Sequence, residues 1–140
     1  MGTRSVGAYA RILLAEALRI GEQAEAALTI LTEALAYMET TQEQTFRAEA
    51  YRLQGELLQS LSQDHHEEAE ICFHQALAIA RRQQAKSWEL RAAISLSQLW
   101  QQQGKRAEAY QLLAPVYGWF TEGFDTADLQ EAKALLEELM

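Results

Sequence analysis

The chain is 140 residues long, 49% hydrophobic, and carries a net charge of −8. This is enough apolar material for one packed domain and too much for a disordered chain. The acidic balance argues against nucleic acid, whose binding needs positive charge to displace phosphate counterions, and against an anionic membrane surface. One cysteine allows neither an intrachain disulfide nor a thiolate zinc site. No apolar run reaches membrane-spanning length, and no secretory hydrophobic region opens the chain. Met1-Gly2 begins like an N-myristoylation signal, but Val6 occupies the position that needs Ser or Thr. The expected compartment is the cytoplasm.

Helix formers dominate, and no segment alternates apolar and polar residues as a half-buried strand would. Residues 1–7 read as a flexible lead. A first helix is predicted over 9–20, stopped by Gly21, because glycine takes the left-handed C-cap conformation at little cost. A second follows over 22–38, with a turn at Thr40, Thr41 and Gln42. The third covers 45–61. A fourth begins near Asp64, an N-cap residue type with Glu67 three positions on in a capping-box pattern. Its Ala69, Cys72, Phe73, Ala76 and Ala80 make one apolar stripe, and Arg81 and Arg82 fall in its last turn, where positive charge suits the helix dipole. The fifth is predicted over 86–103, before Gly104. A sixth starts at Lys105 and kinks or ends at Pro115, since proline lacks an N–H and its ring opposes the Gln111 carbonyl. Tyr117, Trp119, Phe120 and Phe124 form an aromatic knot, expected to plug the end of the stack. Asp125 or Thr126 then caps a seventh helix over 127–139, whose Glu-rich outer face suits a terminal cap.

Three stretches repeat one another. Ala27, Leu31, Ala34 and Leu35 match Ala69, Phe73, Ala76 and Leu77, which match Ala109, Leu113, Val116 and Tyr117. From Ala27 to Ala69 is 42 residues, and from Ala69 to Ala109 is 40. Self-similarity at such a period marks an array whose helical pairs bury their apolar faces against their neighbours. The repeated positions resemble tetratricopeptide repeats. In the second unit Tyr51 takes the large first-helix position, Gly55 the small one that permits close crossing, and Leu58 the next packing position, followed by Ala69, Phe73 and Ala76. The third unit matches through Ala93, Leu96, Ser97, Trp100, Ala109 and Leu113, and the first more loosely through Leu13, Leu14, Ala17, Ala27, Leu31 and Ala34. The period exceeds the usual 34 residues of these repeats, and residues 63–67 lengthen the second unit by two.

The resemblance implies an all-α, right-handed superhelix of about three helix–turn–helix units, over about 8–40, 45–82 and 86–118, with a capping helix at 125–139. Together these make a single domain over 8–140. The longer units, and the segment Leu112 to Leu139 above all, resemble the C-terminal repeat regions of bacterial signalling proteins with an AAA-type or STAND-type ATPase module. A class III cyclase or a DNA-binding module sits elsewhere in some of those chains. Their ATPase and cyclase activities do not carry over, because no Walker motif or cyclase site is present here.

In such repeats the first helix of each unit lines a concave groove. The polar residues expected to face it are Glu49, Arg52, Glu56 and Gln59, then Arg91, Gln98, Gln101 and Gln102, with Arg11 or Arg19 from the first unit. Arginines would clamp a carboxylate and glutamines would hold a peptide backbone. The expected function is therefore non-catalytic binding of a protein or peptide, including domains of a longer parent chain, with no cofactor. The alternative is an effector-sensing domain for a small molecule. A homodimer through the N-terminal end is a further expectation.

Three sharper readings compete with plainer ones. His66, Glu70 and His74 lie at i, i+4, i+8 and carry metal-ligating groups, but their span of about 12 Å is too long for one ion, so a solvated helix face is expected. Cys72 lies in an apolar stripe without a basic cluster to lower its pKa, so it reads as a structural thiol. Trp100 reads as core, whereas Trp88 near a helix start is expected to be partly exposed.

Overall fold

Among the described residues, apolar positions recurring every three or four residues fold into six successive α-helices. The computed structural model describes residues 12, 15, 16, 19, 20, 23–41 and 44–140. The helices are α1 (Ala24–Thr41), α2 (Arg47–Leu61), α3 (His66–Arg82), α4 (Lys86–Gln102), α5 (Arg106–Gly118) and α6 (Ala127–Leu139). Ile12, Ala15, Glu16, Arg19 and Ile20 are helical ahead of α1, and no strand occurs among the described residues. The expected lead at 1–7, the Gly21 stop, and the readings of Arg11, Leu13, Leu14, Ala17 and Gln42 lie outside the described residues.

Three local expectations need correction. Helix α1 runs on through Thr40 because the Thr40 hydroxyl donates back to the Tyr37 carbonyl at 3.0 Å, which serves the helix instead of a turn. Asp64 is not the cap of α3. It lies within a 3-10 turn, Gln63–His65, where its backbone N–H donates to Ser62 Oγ at 3.1 Å, so the two-residue lengthening is absorbed as helical turn. Of the two outcomes expected at Pro115, a kink or an end, the end does not occur there. Helix α5 continues to Gly118, because three residues of α-geometry after the proline need no N–H from Pro115 itself. Of the two cap candidates for α6, Thr126 does the work: its hydroxyl accepts from Leu129 N–H at 3.4 Å.

The exits of α3 and α4 share one closure. Ala85 N–H donates to the Ala80 carbonyl at 2.9 Å and Gln84 N–H to Arg81 at 3.1 Å; Lys105 N–H donates to Trp100 at 2.8 Å and Gly104 N–H to Gln101 at 3.1 Å. Both are Schellman motifs with a left-handed residue, Gly104 at φ 81° and Gln84 at φ 55°. Each reverses the chain within three residues, so each helix packs on the next. Helix α2 also packs on α4, and α4 on α6.

This packing encloses a core of alanine and leucine around Phe73, with a second cluster where Ile12 and Ala15 meet α1 and α2. Gly55 lets α2 approach α3: a Cβ there would lie 2.5 Å from the ring of the fully buried Phe73. Ser97, also fully buried, donates to the Ala109 carbonyl at 3.2 Å and ties α4 to α5. Among the described residues, no helix is long and apolar enough to cross a membrane.

Candidate functional site

The stacking of α2, α4 and α6 brings their polar residues onto one face. Arg52 of α2 is the centre. Its Nη2 donates to Glu49 Oε1 at 2.6 Å, its Nε reaches Glu49 Oε2 at 3.1 Å, and its Nη1 reaches Glu56 Oε1 and Ser95 Oγ, each at 3.3 Å. Ser95 of α4 in turn donates to Glu56 at 2.7 Å. Arg91 of α4 spans the stack, with Nη1 2.7 Å from Glu49 Oε1 and Nε 3.7 Å from Asp128 Oδ2 of α6. Gln98 donates to Glu131 of α6 at 2.9 Å. Glu16 and Arg19, ahead of α1, form their own pair at 2.6 Å.

Glu49 and Arg52 are each only 8% exposed, because their partners on α4 close over them. A cavity of about 60 Å³ remains between Arg52, Glu56, Arg91, Ser95, Gln98 and Glu131, room for about two waters. Burial by itself would lower the Arg52 pKa; the Glu49 hydrogen bonds and the charges of Glu49, Glu56 and Glu16 outweigh it and hold the guanidinium above its ordinary value. Arg52 therefore keeps its charge across the neutral range. Arg19, Arg52 and Arg91 are all engaged by carboxylates of the chain, so a carboxylate ligand would have to displace an internal partner.

The other expected groove residues are more open. Gln59 and Gln102 border a depression of about 340 Å³ with Arg19, Glu56, Ser60 and His66. Gln101 is half-buried at the end of α4. Sequence reasoning missed Ser95, Asp128 and Glu131. For Ser95 the signal was present in the spacing: Arg91, Ser95 and Gln98 recur at helical intervals on one side of α4.

His66, Glu70 and His74 are not brought together as a ligand set. His74 Nε2 lies 3.6 Å from Glu70 and its ring 6.0 Å from Trp100, whereas His66 borders the depression lined by Gln59 and Gln102. No group of three or more His, Cys, Asp or Glu side chains among the described residues is disposed to hold a metal ion. Cys72 is buried and its thiol donates to Gln54 Oε1 at 3.4 Å. Burial, with the nearby Glu68 charge, pushes its pKa up to about 11.

The aromatic knot divides. Tyr117 and Phe120 pack on the main core, but Trp119 is 57% exposed and Phe124 45%. The knot is thus only partly a plug. The T-shaped contact of Trp119 with Phe120, at 5.2 Å, holds its ring at the surface, 5.2 Å from Lys86 Nζ. Trp100 is half-buried against the core, with a buried indole N–H that no protein atom accepts. No protein-family model matches the chain, and no curated protein matches it.

Proposed function

We propose that the chain is a non-catalytic, tetratricopeptide-like scaffold that binds a protein or peptide along the face shared by α2, α4 and α6. The observation that carries this reading is the packing of alternate helices, α2 on α4 and α4 on α6, which is how a stack of helical pairs builds one continuous surface. The 42- and 40-residue spacing of Ala27, Ala69 and Ala109 supports it from the sequence. On the same resemblance the chain is a C-terminal regulatory repeat module of a bacterial signalling ATPase, acting in the cytoplasm on another protein or on domains of its own parent. A homodimer through the N-terminal end belongs to the same reading, and Ile20, 71% exposed there, supports it.

The internal pairing of Arg19, Arg52 and Arg91 changes which residues meet the partner. Gln59, Gln98, Gln101 and Gln102 offer amides at the edges of the network, suited to a peptide backbone. Selection from a random-peptide library, followed by amide chemical-shift mapping, tests this. Bound peptides are expected to move the signals of Gln98, Gln101 and Gln102. Selected peptides that leave α2 and α4 untouched would sink the groove assignment. A second reading, an effector-sensing domain, is favoured by the depression of about 340 Å³ beside Arg19, Glu56 and Gln59, a size that suits a small molecule. A small metabolite that raises the melting temperature and shifts Gln59 would select that reading.

A further inference from the structure

The turn between α3 and α4 carries a surface that the shared helix face does not use. Gln44, Thr45, Gln83, Lys86, Ser87 and Trp88 line a cavity of about 710 Å³, within the range of sites that hold a side chain or small ligand. Trp88 rests on a small separate core of Ala48, Ile79 and Ala80, and its ring lies 5.6 Å from Phe46. Gln83 Nε2 donates to the Gln44 carbonyl at 2.8 Å, joining the α1–α2 and α3–α4 loops into one rim. Lys86 continues the surface to the exposed Trp119 ring, 5.2 Å away. The Trp88 indole and Lys86 thus line the depression, and Trp119 lies beyond it against Lys86.

The charge here runs against that of the chain. Arg47 reaches the Gln44 side-chain oxygen at 3.1 Å, while Arg81 and Arg82 end α3 and Lys86 begins α4. The one carboxylate among them is Glu89, shared by Arg81 at 3.1 Å and Lys86 at 3.4 Å. Among the described residues neither Arg47 nor Arg82 has a carboxylate partner. Among the described residues, Lys86 alone of these four cations lines the cavity, while Arg47 touches its Gln44 and Arg81 and Arg82 adjoin its Gln83, a local excess of positive charge on a chain whose net charge is −8. The acidic residues of the α5–α6 loop, Glu122 and Asp125, are not among the lining residues.

We propose that this cavity docks an acidic peptide segment of a partner protein, with an aromatic side chain seated on Trp88. Its carboxylates meet Lys86 and Arg47, and its backbone meets the amides of Gln44 and Gln83 and the hydroxyl of Ser87. Trp88 is half-buried, which leaves part of its ring for the incoming aromatic side chain. The lining residues are distinct from those of the shared α2, α4 and α6 face, so this docking stands or falls separately from the function proposed above.

The test uses the full chain labelled with nitrogen-15 and follows the indole N–H signals of its three tryptophans. Three five-residue peptides are titrated, each with a central phenylalanine flanked by four acidic, four neutral or four basic residues. The acidic peptide is expected to shift the Trp88 indole and the 83–88 amides saturably, while Trp100 stays still. Lys86→Glu, at a first-turn site where a carboxylate suits the helix dipole, should weaken that binding roughly tenfold without loss of helicity. Added salt should weaken it too. Absence of a saturable shift at millimolar peptide would overturn the proposal. So would equal binding of the neutral or basic peptide, an unchanged affinity in Lys86→Glu, or shifts at Gln98 in place of Trp88.

Discussion

Replacing Gly55 by alanine should destabilise this protein, although alanine is the better helix former. In an exposed helix interior the change would stabilise by about 1 kcal/mol. Here the added Cβ would stand 2.5, 2.8 and 2.9 Å from Cε1, Cδ1 and Cζ of Phe73. Ordinary carbon contacts begin near ~3.5 Å. Phe73 is fully buried among residues of α2 to α5, so its ring has nowhere to retreat. Overpacking of this kind costs about 1–3 kcal/mol, and three close approaches argue for the upper end. Subtracting the helix gain leaves a net loss of about 2 kcal/mol. Urea unfolding followed by circular dichroism should show a lower midpoint with an unchanged slope, and a melting temperature on the order of 5–10 °C lower. Gly118→Ala supplies the control, since nothing lies within 4 Å of its Cβ; it should be neutral or stabilising by up to about 1 kcal/mol. Phe73→Leu in the Gly55→Ala background should recover part of the loss. A Gly55→Ala protein as stable as the parent would refute the close α2–α3 crossing.

Arg52→Glu should cost about 3 kcal/mol or more, measured by the same unfolding assay, because it replaces a buried partner of Glu49 and Glu56 with a third carboxylate. Arg52→Met should cost less than that. The hydrogen bond from Arg19, opposed by partial burial, holds the Glu16 carboxyl below its ordinary 4.5, so its contribution is complete above that value and is lost as pH falls through the lower folded value. Stability should therefore drop as pH falls below about 4.5, and the drop should shrink in Glu16→Gln. With a pKa of about 11, the Cys72 thiol is ionised to only about one part in a thousand at pH 8, so alkylation of the folded chain should be far slower than in urea. Fast native alkylation would show that α3 opens readily.

The helices were legible because their apolar residues keep one period; among the described residues α2, α3, α4 and α6 end within one residue of the reading, α4 before Gly104 and α6 at Leu139. What misled was local chemistry with a competing use. Thr40 and Thr41 read as turn residues, yet Thr40 bonds back into α1; Asp64 read as a cap, yet Ser62 precedes it and closes a 3-10 turn first. The polar face was half legible. The resemblance to tetratricopeptide repeats implies that Glu49, Arg52, Arg91 and Gln98 face a groove, but whether they meet solvent or one another depends on how closely α2, α4 and α6 stack. Asp128 and Glu131 belong to a helix read only as a cap. Trp119 was hidden for the opposite reason: its neighbours Tyr117 and Phe120 satisfy the core, and the ring is left outside.

The binding function proposed for this chain depends on α2 and α4 sharing one face, and the pair Glu49–Arg91, 2.7 Å apart on those two helices, reports it directly. The measurement is a double-mutant cycle with Glu49→Gln and Arg91→Met, read as unfolding free energy at low and high salt. A coupling of about 0.5–1.5 kcal/mol that shrinks as salt rises is the predicted result. Coupling within error of zero at low salt would contradict the shared face and the binding surface built on it.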